Sequence, residues 1–245
     1  MADEFQSRWR VAFERRGALL DDDAGIAGWT STGLATRLRG FLRVWRSREH
    51  RGLWLDIGCG AGTYTRILAS EGLWMVGMDY SLPSLNKARA RGGANIDWIA
   101  GDVTALPIAD RTFDGILCFG VLQALSASRP ALRSMGRVLK PGGELWLDAL
   151  NARCIPSRAR IRRDSRAGRH AHLRYDRVED LKTAMRETGF DNVVVHWLPI
   201  MPAGLQWLQP LFEPEAARWL LRRVPVAAEA MSHSILLFGQ RRSDG

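Results

Sequence analysis

Three carboxylates and one glycine loop have the residue types and spacing to do chemistry. Asp56 stands just ahead of Gly58, Cys59, Gly60 and Gly62, so that glycines alternate through Asp56-Ile57-Gly58-Cys59-Gly60-Ala61-Gly62-Thr63-Tyr64. Backbone that passes within contact distance of a ligand favours glycine, because a Cβ would collide with it. A dinucleotide loop prefers G-x-G-x-x-G, whose third glycine lets the helix pack closely beneath a pyrophosphate. Here Thr63 holds that position, and Asp56 places negative charge where a pyrophosphate would lie. The loop suits a nucleotide-type cofactor with a cationic or zwitterionic portion; taken alone, its glycines also read as a plain turn.

Asp79 closes the apolar run Val76-Gly77-Met78-Asp79-Tyr80-Ser81, and Asp102 closes another in Ala100-Gly101-Asp102-Val103. A carboxylate at the first position can accept from both hydroxyls of a ribose. Its alternative is to cap the helix that follows, although Ser81 already suits that task. At the second position a carboxylate can accept from the exocyclic amine of adenine while the Val103 N–H reaches a ring nitrogen; a turn-forming Asp is the alternative. Acids at three successive strand ends mark the edge where open α/β sheets bind ligands.

The elements that must position these groups follow from periodicity. Short apolar runs predict strands at 53–58, 74–79, 96–101, 113–119 and 143–149. Helical spacing predicts helices at 63–70, 82–91 and 130–139, with starts at Ser81 and Arg129-Pro130 and a stop at Pro141-Gly142-Gly143. Strands separated by single helices imply right-handed crossovers and a doubly wound, mainly parallel α/β sheet. Residues 1–50 read as a polar helical segment broken at Asp21–Gly25, with Leu34, Leu38, Phe41, Leu42 and Trp45 spaced to pack one face. Beyond 151 an arginine-rich stretch gives way to a capping-box-like helix start at Asp176-Arg177-Val178-Glu179, then strands near 193–197 and 234–239. The long connection at 199–231 carries apolar residues at helical spacing and reads as a lid or docking surface. The 245 residues are read as one domain: helical segment 1–50, cofactor-binding core 51–150 and acceptor-side segment 151–245.

From Leu55-Asp56-Ile57-Gly58-Cys59-Gly60-Ala61-Gly62, through Gly77-Met78-Asp79-Tyr80-Ser81, Gly101-Asp102-Val103 and Phe113-Asp114-Gly115-Ile116, to Arg137-Val138-Leu139-Lys140-Pro141-Gly142-Gly143, the chain resembles the class I S-adenosylmethionine-dependent methyltransferases of the small-molecule or lipid type. The resemblance covers roughly residues 50 to 150. It implies a Rossmann-like methyltransferase fold of seven strands, the last antiparallel, with helical additions before the first strand and before the last. It implies S-adenosyl-L-methionine as cofactor, with Asp56, Gly58, Cys59, Gly60 and Gly62 facing its methionine portion and Asp79 its ribose. Asp102 and Val103 would face the adenine and Tyr80 would lie along its edge, with a half-buried aromatic as the alternative for Tyr80. Phe119 would line the pocket near the sulfonium, and Tyr64 would contact the methionine carboxylate or the acceptor. Many family members place a histidine after the fourth strand, where this chain has Gln123.

A base is needed only where the acceptor must lose a proton. Asp148, at the fifth strand's end, and His172, in Arg169-His170-Ala171-His172, are the catalytic candidates. Asp148 alternatively orders the loop through Asn151; the two histidines alternatively are solvated or, less readily, hold a metal. His233 reads as a surface residue. Net charge is +9, carried almost wholly by arginine, and Arg153, Arg158, Arg160, Arg162, Arg163, Arg166 and Arg169 crowd one segment. Together with 199–231 this points to a small-molecule or lipid-linked acceptor of anionic character and to peripheral membrane contact. The basic balance also motivates an RNA methyltransferase. Against that, Cys118-Phe119-Gly120-Val121 lacks the Pro-Pro-aromatic turn of base amino-methylating enzymes, so nucleic acid is disfavoured. A non-catalytic cofactor-binding protein is the remaining reading. Three cysteines without C-x-x-C spacing, and no apolar leader or span, are the expectation for a cytoplasmic protein.

Overall fold

The structure is a computed structural model that describes residues 2–168, 173–201 and 203–243. Three helices come first: α1 (Ala2–Leu19), α2 (Asp23–Ala27) and α3 (Ser31–Trp45). The Asp21–Gly25 break therefore contains a short helix. Asp22 caps α2 by accepting the Gly25 N–H at 2.7 Å, and Thr30 caps α3 by accepting the Gly33 N–H at 3.0 Å. Gly28, at φ +72°, ends α2 in the left-handed region. These caps leave only a short connection between the helices, and it places Trp29 at a fixed point.

The alternating body follows: β1 (Leu53–Ile57), α4 (Thr63–Ser70), β2 (Trp74–Asp79), α5 (Leu82–Ala90), β3 (Ile96–Ala100), β4 (Phe113–Cys118), α6 (Arg129–Val138) and β5 (Leu139–Leu150). After it come α7 (Ile155–Arg166), α8 (Val178–Glu187), β6 (Phe190–Leu198), a 3-10 segment (Ala203–Phe212), α9 (Glu215–Arg223), α10 (Pro225–Met231) and β7 (Ser234–Arg241). The sheet has seven strands in the order β3-β2-β1-β4-β5-β7-β6, with β7 antiparallel to both neighbours. This is the doubly wound fold that the strand–helix alternation predicts.

Two expected local signals act differently. Helix α6 ends at Val138 and Leu139 already pairs with Phe113, so Pro141-Gly142-Gly143 is not its stop. Those residues form an irregularity inside β5, across which the register moves to Gly115 opposite Glu144. Asp176 does not cap α8, whose preceding residue Arg177 makes no side-chain cap. The Asp176 carboxylate accepts from Arg174 Nε at 3.1 Å, and its backbone N–H bonds the Leu150 carbonyl at 2.8 Å.

Strand alternation assigns the two faces of the sheet. Leu55, Ile57, Leu145 and Leu147 pack with Leu132 and Met135 of α6 and Leu181 and Met185 of α8. Trp54, Leu117 and Trp146 face the other way, onto Phe41 and Trp45 of α3 and Leu68 of α4. Asp56 and Asp148 share the parity of Trp54 and Trp146, so both carboxylates emerge on the α3–α4 side. Asp148 meets Arg37 of α3 there: Arg37 Nε donates to Oδ2 at 3.3 Å, and the Gly120 N–H donates to Oδ1 at 2.6 Å. The two side chains are only 7% and 5% exposed, which makes the pair a buried brace. Breaking such a pair leaves an uncompensated charge. Asp148→Asn should therefore cost about 3–5 kcal/mol in urea unfolding, and adding Arg37→Met to the same chain should recover most of that loss. Unchanged stability in the single variant would show that the pair does not hold α3 to the sheet.

Candidate active site

At the end of β1 the chain turns through Gly58, Gly60 and Gly62 with φ of +70°, +54° and +82°. Asp79, closing β2, holds this loop. Its Oδ2 accepts the Gly60 N–H at 2.9 Å, and its Oδ1 accepts the Ser81 N–H at 2.8 Å. Burial pushes the Asp79 pKa up, and the N–H groups of Ser81 and Gly60 oppose that rise. Ser81 caps the following helix, its hydroxyl accepting the Ser84 N–H at 3.3 Å, so Asp79 is not the cap and serves the loop and the turn into that helix.

The glycines differ in what they clear. A Cβ on Gly58 would strike the Val121 side chain, and one on Gly62 would strike the Trp98 ring. At Gly60 the nearest atom to such a Cβ is Ile26 Cγ2, at 3.8 Å. Only Gly60 therefore leaves open space beside the cavity, and Gly62 does not line it. Beneath the loop, Asp56 accepts from Thr65 Oγ1 at 2.6 Å. Burial first, and then the charge of Asp79, push its pKa up to about 7.

One cavity gathers Asp56, Gly58, Cys59, Gly60, Tyr64, Asp79, Tyr80, Asp102, Val103 and Phe119. Burial raises the Cys59 thiol far above its usual range, so it stays protonated. Tyr64 and Phe119 stand with ring centroids 4.8 Å apart, and Phe41 closes the cluster at 5.0 Å from Phe119. Asp102 makes a turn of its own: Oδ1 accepts the Thr104 N–H at 2.8 Å and Thr104 Oγ1 at 2.7 Å. Its other oxygen pairs with Arg10 of α1. Helix α1 is the part of this site that sequence reasoning missed. Gln6, Trp9, Arg10 and Phe13 line the cavity, and the Tyr80 hydroxyl donates to the Trp9 carbonyl at 3.4 Å. The aromatic pair Trp9 and Phe13, four residues apart in a polar helix, was the available signal.

Of the two catalytic candidates, His172 lies outside the described residues. Asp148 is committed to Arg37 and Gly120 and lines neither this cavity nor the next, because both its oxygens serve the brace. A second cavity adjoins the first across Trp9, Ala27 and Trp29. It holds Arg37, Gln123, Arg160, Tyr175 and His233. His233 is thus a cavity residue rather than a surface one, with Nδ1 at 3.4 Å from Ser157 Oγ. Burial first, then the charges of Arg37 and Arg160, push its pKa down to about 4, so the ring is neutral at ordinary pH. Its position in the first turn before a final strand gave no sequence signal, since the cavity wall it joins comes from distant segments.

Residues 55–147 match the family described as methyltransferase domain. A demethylmenaquinone methyltransferase of Renibacterium salmoninarum is 44% identical over 91 residues, covering 37% of this chain and 38% of that protein. A second, from Corynebacterium urealyticum, is 36% identical over 126 residues, covering 49% of this chain and 54% of that protein. The chain therefore spans about half or less of the length of these curated relatives. In fold it is similar to a possible histamine N-methyltransferase of Thermotoga maritima (TM-score 0.61, 20% identity, covering 85% of this chain and 92% of that one). It is similarly close to a phosphoethanolamine N-methyltransferase of Haemonchus contortus solved in complex with S-adenosyl-L-methionine (TM-score 0.62, 18% identity, covering 84% and 53%). The family match is seated on the strand ends that carry the glycine loop and its acids, so over residues 55–147 the chain is similar to methyltransferase domains, and its fold is that of S-adenosylmethionine-dependent methyltransferases.

Proposed function

We propose that the protein binds S-adenosylmethionine in the first cavity and methylates an oxygen or nitrogen of a small-molecule or lipid-linked acceptor held in the second. The observation that carries this reading is the contact between the two cavities: the one bordered by Asp56, Asp79 and Asp102 meets the other across Trp9, Ala27 and Trp29. The residues fit the cofactor. Gly60 leaves a space that any Cβ would fill. Each oxygen of Asp79 takes one backbone N–H, which leaves acceptor capacity for ribose hydroxyls. Asp56 lies where a cationic methionine portion would restore its ionised form. The faces of Tyr64 and Phe119 suit a sulfonium through cation–π attraction. When bound, the cofactor supplies a methyl group on an already activated sulfur.

The chain then has to hold the acceptor in line and exclude water, and orientation of this kind accounts for much of such a barrier. Trp9 and Trp29 border both cavities and are the large apolar side chains where the two meet. Where the acceptor carries a proton, His233 is the imidazole offered by the described part of the second cavity.

The connection before β7 supports contact with a lipid surface. It exposes Trp207, Leu211, Trp219 and Val226 at 74%, 65%, 53% and 77%, and Arg223 stacks on Trp219 at 4.8 Å. Gln206 and Met201 bring its near end to the rim of the second cavity. Among the described residues no helix is long and apolar enough to cross a membrane. Amphipathic cationic surfaces of this type lie in the headgroup plane.

Calorimetric titration should register S-adenosylmethionine and S-adenosylhomocysteine but not NAD, and Asp79→Asn should weaken both at least about tenfold, or 1.4 kcal/mol. Binding of NAD alone would overturn the reading. The His233 ring, followed by NMR, should titrate near 4. Its folded value lies below the unfolded 6.5, so as pH falls the unfolded chain takes up the proton first. This costs the fold roughly 2–3 kcal/mol between about pH 6.5 and 4. Asp56, raised to about 7, acts with the opposite sign. Comparing wild type with His233→Gln isolates the imidazole, and parallel stability profiles would contradict its burial. Co-sedimentation with vesicles containing anionic lipid should fall several-fold in a Trp207→Ser, Trp219→Ser chain; undiminished binding would place the lipid contact elsewhere.

A further inference from the structure

The second cavity carries a charge pattern that methyl transfer as such does not require. Arg16, Arg37 and Arg160 line it, and among its described lining residues there is no carboxylate. Arg37 is matched by Asp148 from behind, and Arg160 reaches Asp164 only at 3.9 Å. The positive field at this place is registered by His233, on which Arg37 and Arg160 both act. Two buried donors at the walls lack completed hydrogen bonds: the Trp29 indole N–H, and the Tyr175 hydroxyl, which lies beside the Arg160 guanidinium. Buried donors in this condition cost stability until a partner satisfies them. Leu150 and Ile200 add apolar wall to the same cavity. Guanidinium groups in a half-enclosed, partly apolar setting select oxyanions, and their fork favours planar or tetrahedral acid heads.

We propose that this cavity binds its ligand by an acidic head, a carboxylate or phosphate monoester, held by Arg37 and Arg160 with the Tyr175 hydroxyl, while an apolar body lies along Leu150 and Ile200. This rests on the reading of the second cavity as the acceptor site and names the class of acceptor: an amphiphilic organic anion. Arg37 also braces α3, so Arg160 on α7 is the residue to change.

The test titrates the full chain, with and without saturating S-adenosylhomocysteine, with hexanoate, hexyl phosphate, hexanol and inorganic phosphate. At least one of the two amphiphilic anions should bind ten times more tightly than hexanol and should move the His233 ring signals. Arg160→Gln should remove that preference, leaving hexanol binding and S-adenosylhomocysteine affinity unchanged; Arg160→Lys should restore part of it. The preference in wild type stands as evidence whether or not the Gln variant folds. Hexanol binding as tightly as the anions overturns the proposal, as does an anion affinity indifferent to Arg160. Inorganic phosphate matching hexyl phosphate also overturns it, because the apolar wall then contributes nothing. Anion binding without any S-adenosylhomocysteine binding would leave the anion site standing and remove the methyltransferase reading instead.

Discussion

Backbone donors at the carboxyl edge of the parallel sheet need partners, and carboxylates at strand ends supply them. As each strand runs out, the loop that follows presents N–H groups no neighbouring strand can satisfy. Asp79 takes those of Gly60 and Ser81, and Asp148 takes that of Gly120. These bonds hold the glycine loop in its left-handed turns and aim it into the cavity. They also bury negative charge, and a buried charge must be compensated.

The compensation shapes the rest of the site. Asp148 draws in Arg37, and with it α3 and the short connection to α2. Arg37 lies 4.3 Å from the centroid of the Trp29 ring, so the pair that neutralises a strand end also seats the wall between two cavities. At Asp102 the cation comes from α1, through Arg10, whose guanidinium lies 5.5 Å from the Tyr80 ring centroid. The N-terminal helices are thus tied to the sheet edge by charge and aromatic contacts together, and they close the cavity over the acids. Part of the arginine excess thus serves the fold, as Arg10 and Arg37 pair with acids at the strand ends.

Much of this was legible. Glycines on alternate positions, Asp79 and Asp102 after apolar runs, and the strand–helix alternation depend on local spacing, and each lies where that spacing puts it. What failed to read correctly involved competition between partners. Asp148 looked like a free base at a strand end, but a cation 111 positions away claimed it. Asp176 had the pattern of a helix cap and bonds Arg174 instead. Gly62 suited a ligand-facing loop, yet it packs against Trp98 and does not line the cavity.

The order of elements and the acids at the strand ends were determined by the sequence itself, because periodicity and turn chemistry act over a few residues; the class of methyl donor was implied by the family those residues resemble. Only the tertiary structure decided that α1 covers the first cavity, that Asp148 is a brace, and that His233 joins Arg37 and Arg160 around a second cavity. The reason is physical. A side chain's role in a buried site depends on which distant charge or ring satisfies it, and that pairing exists only once segments far apart in the chain have packed together.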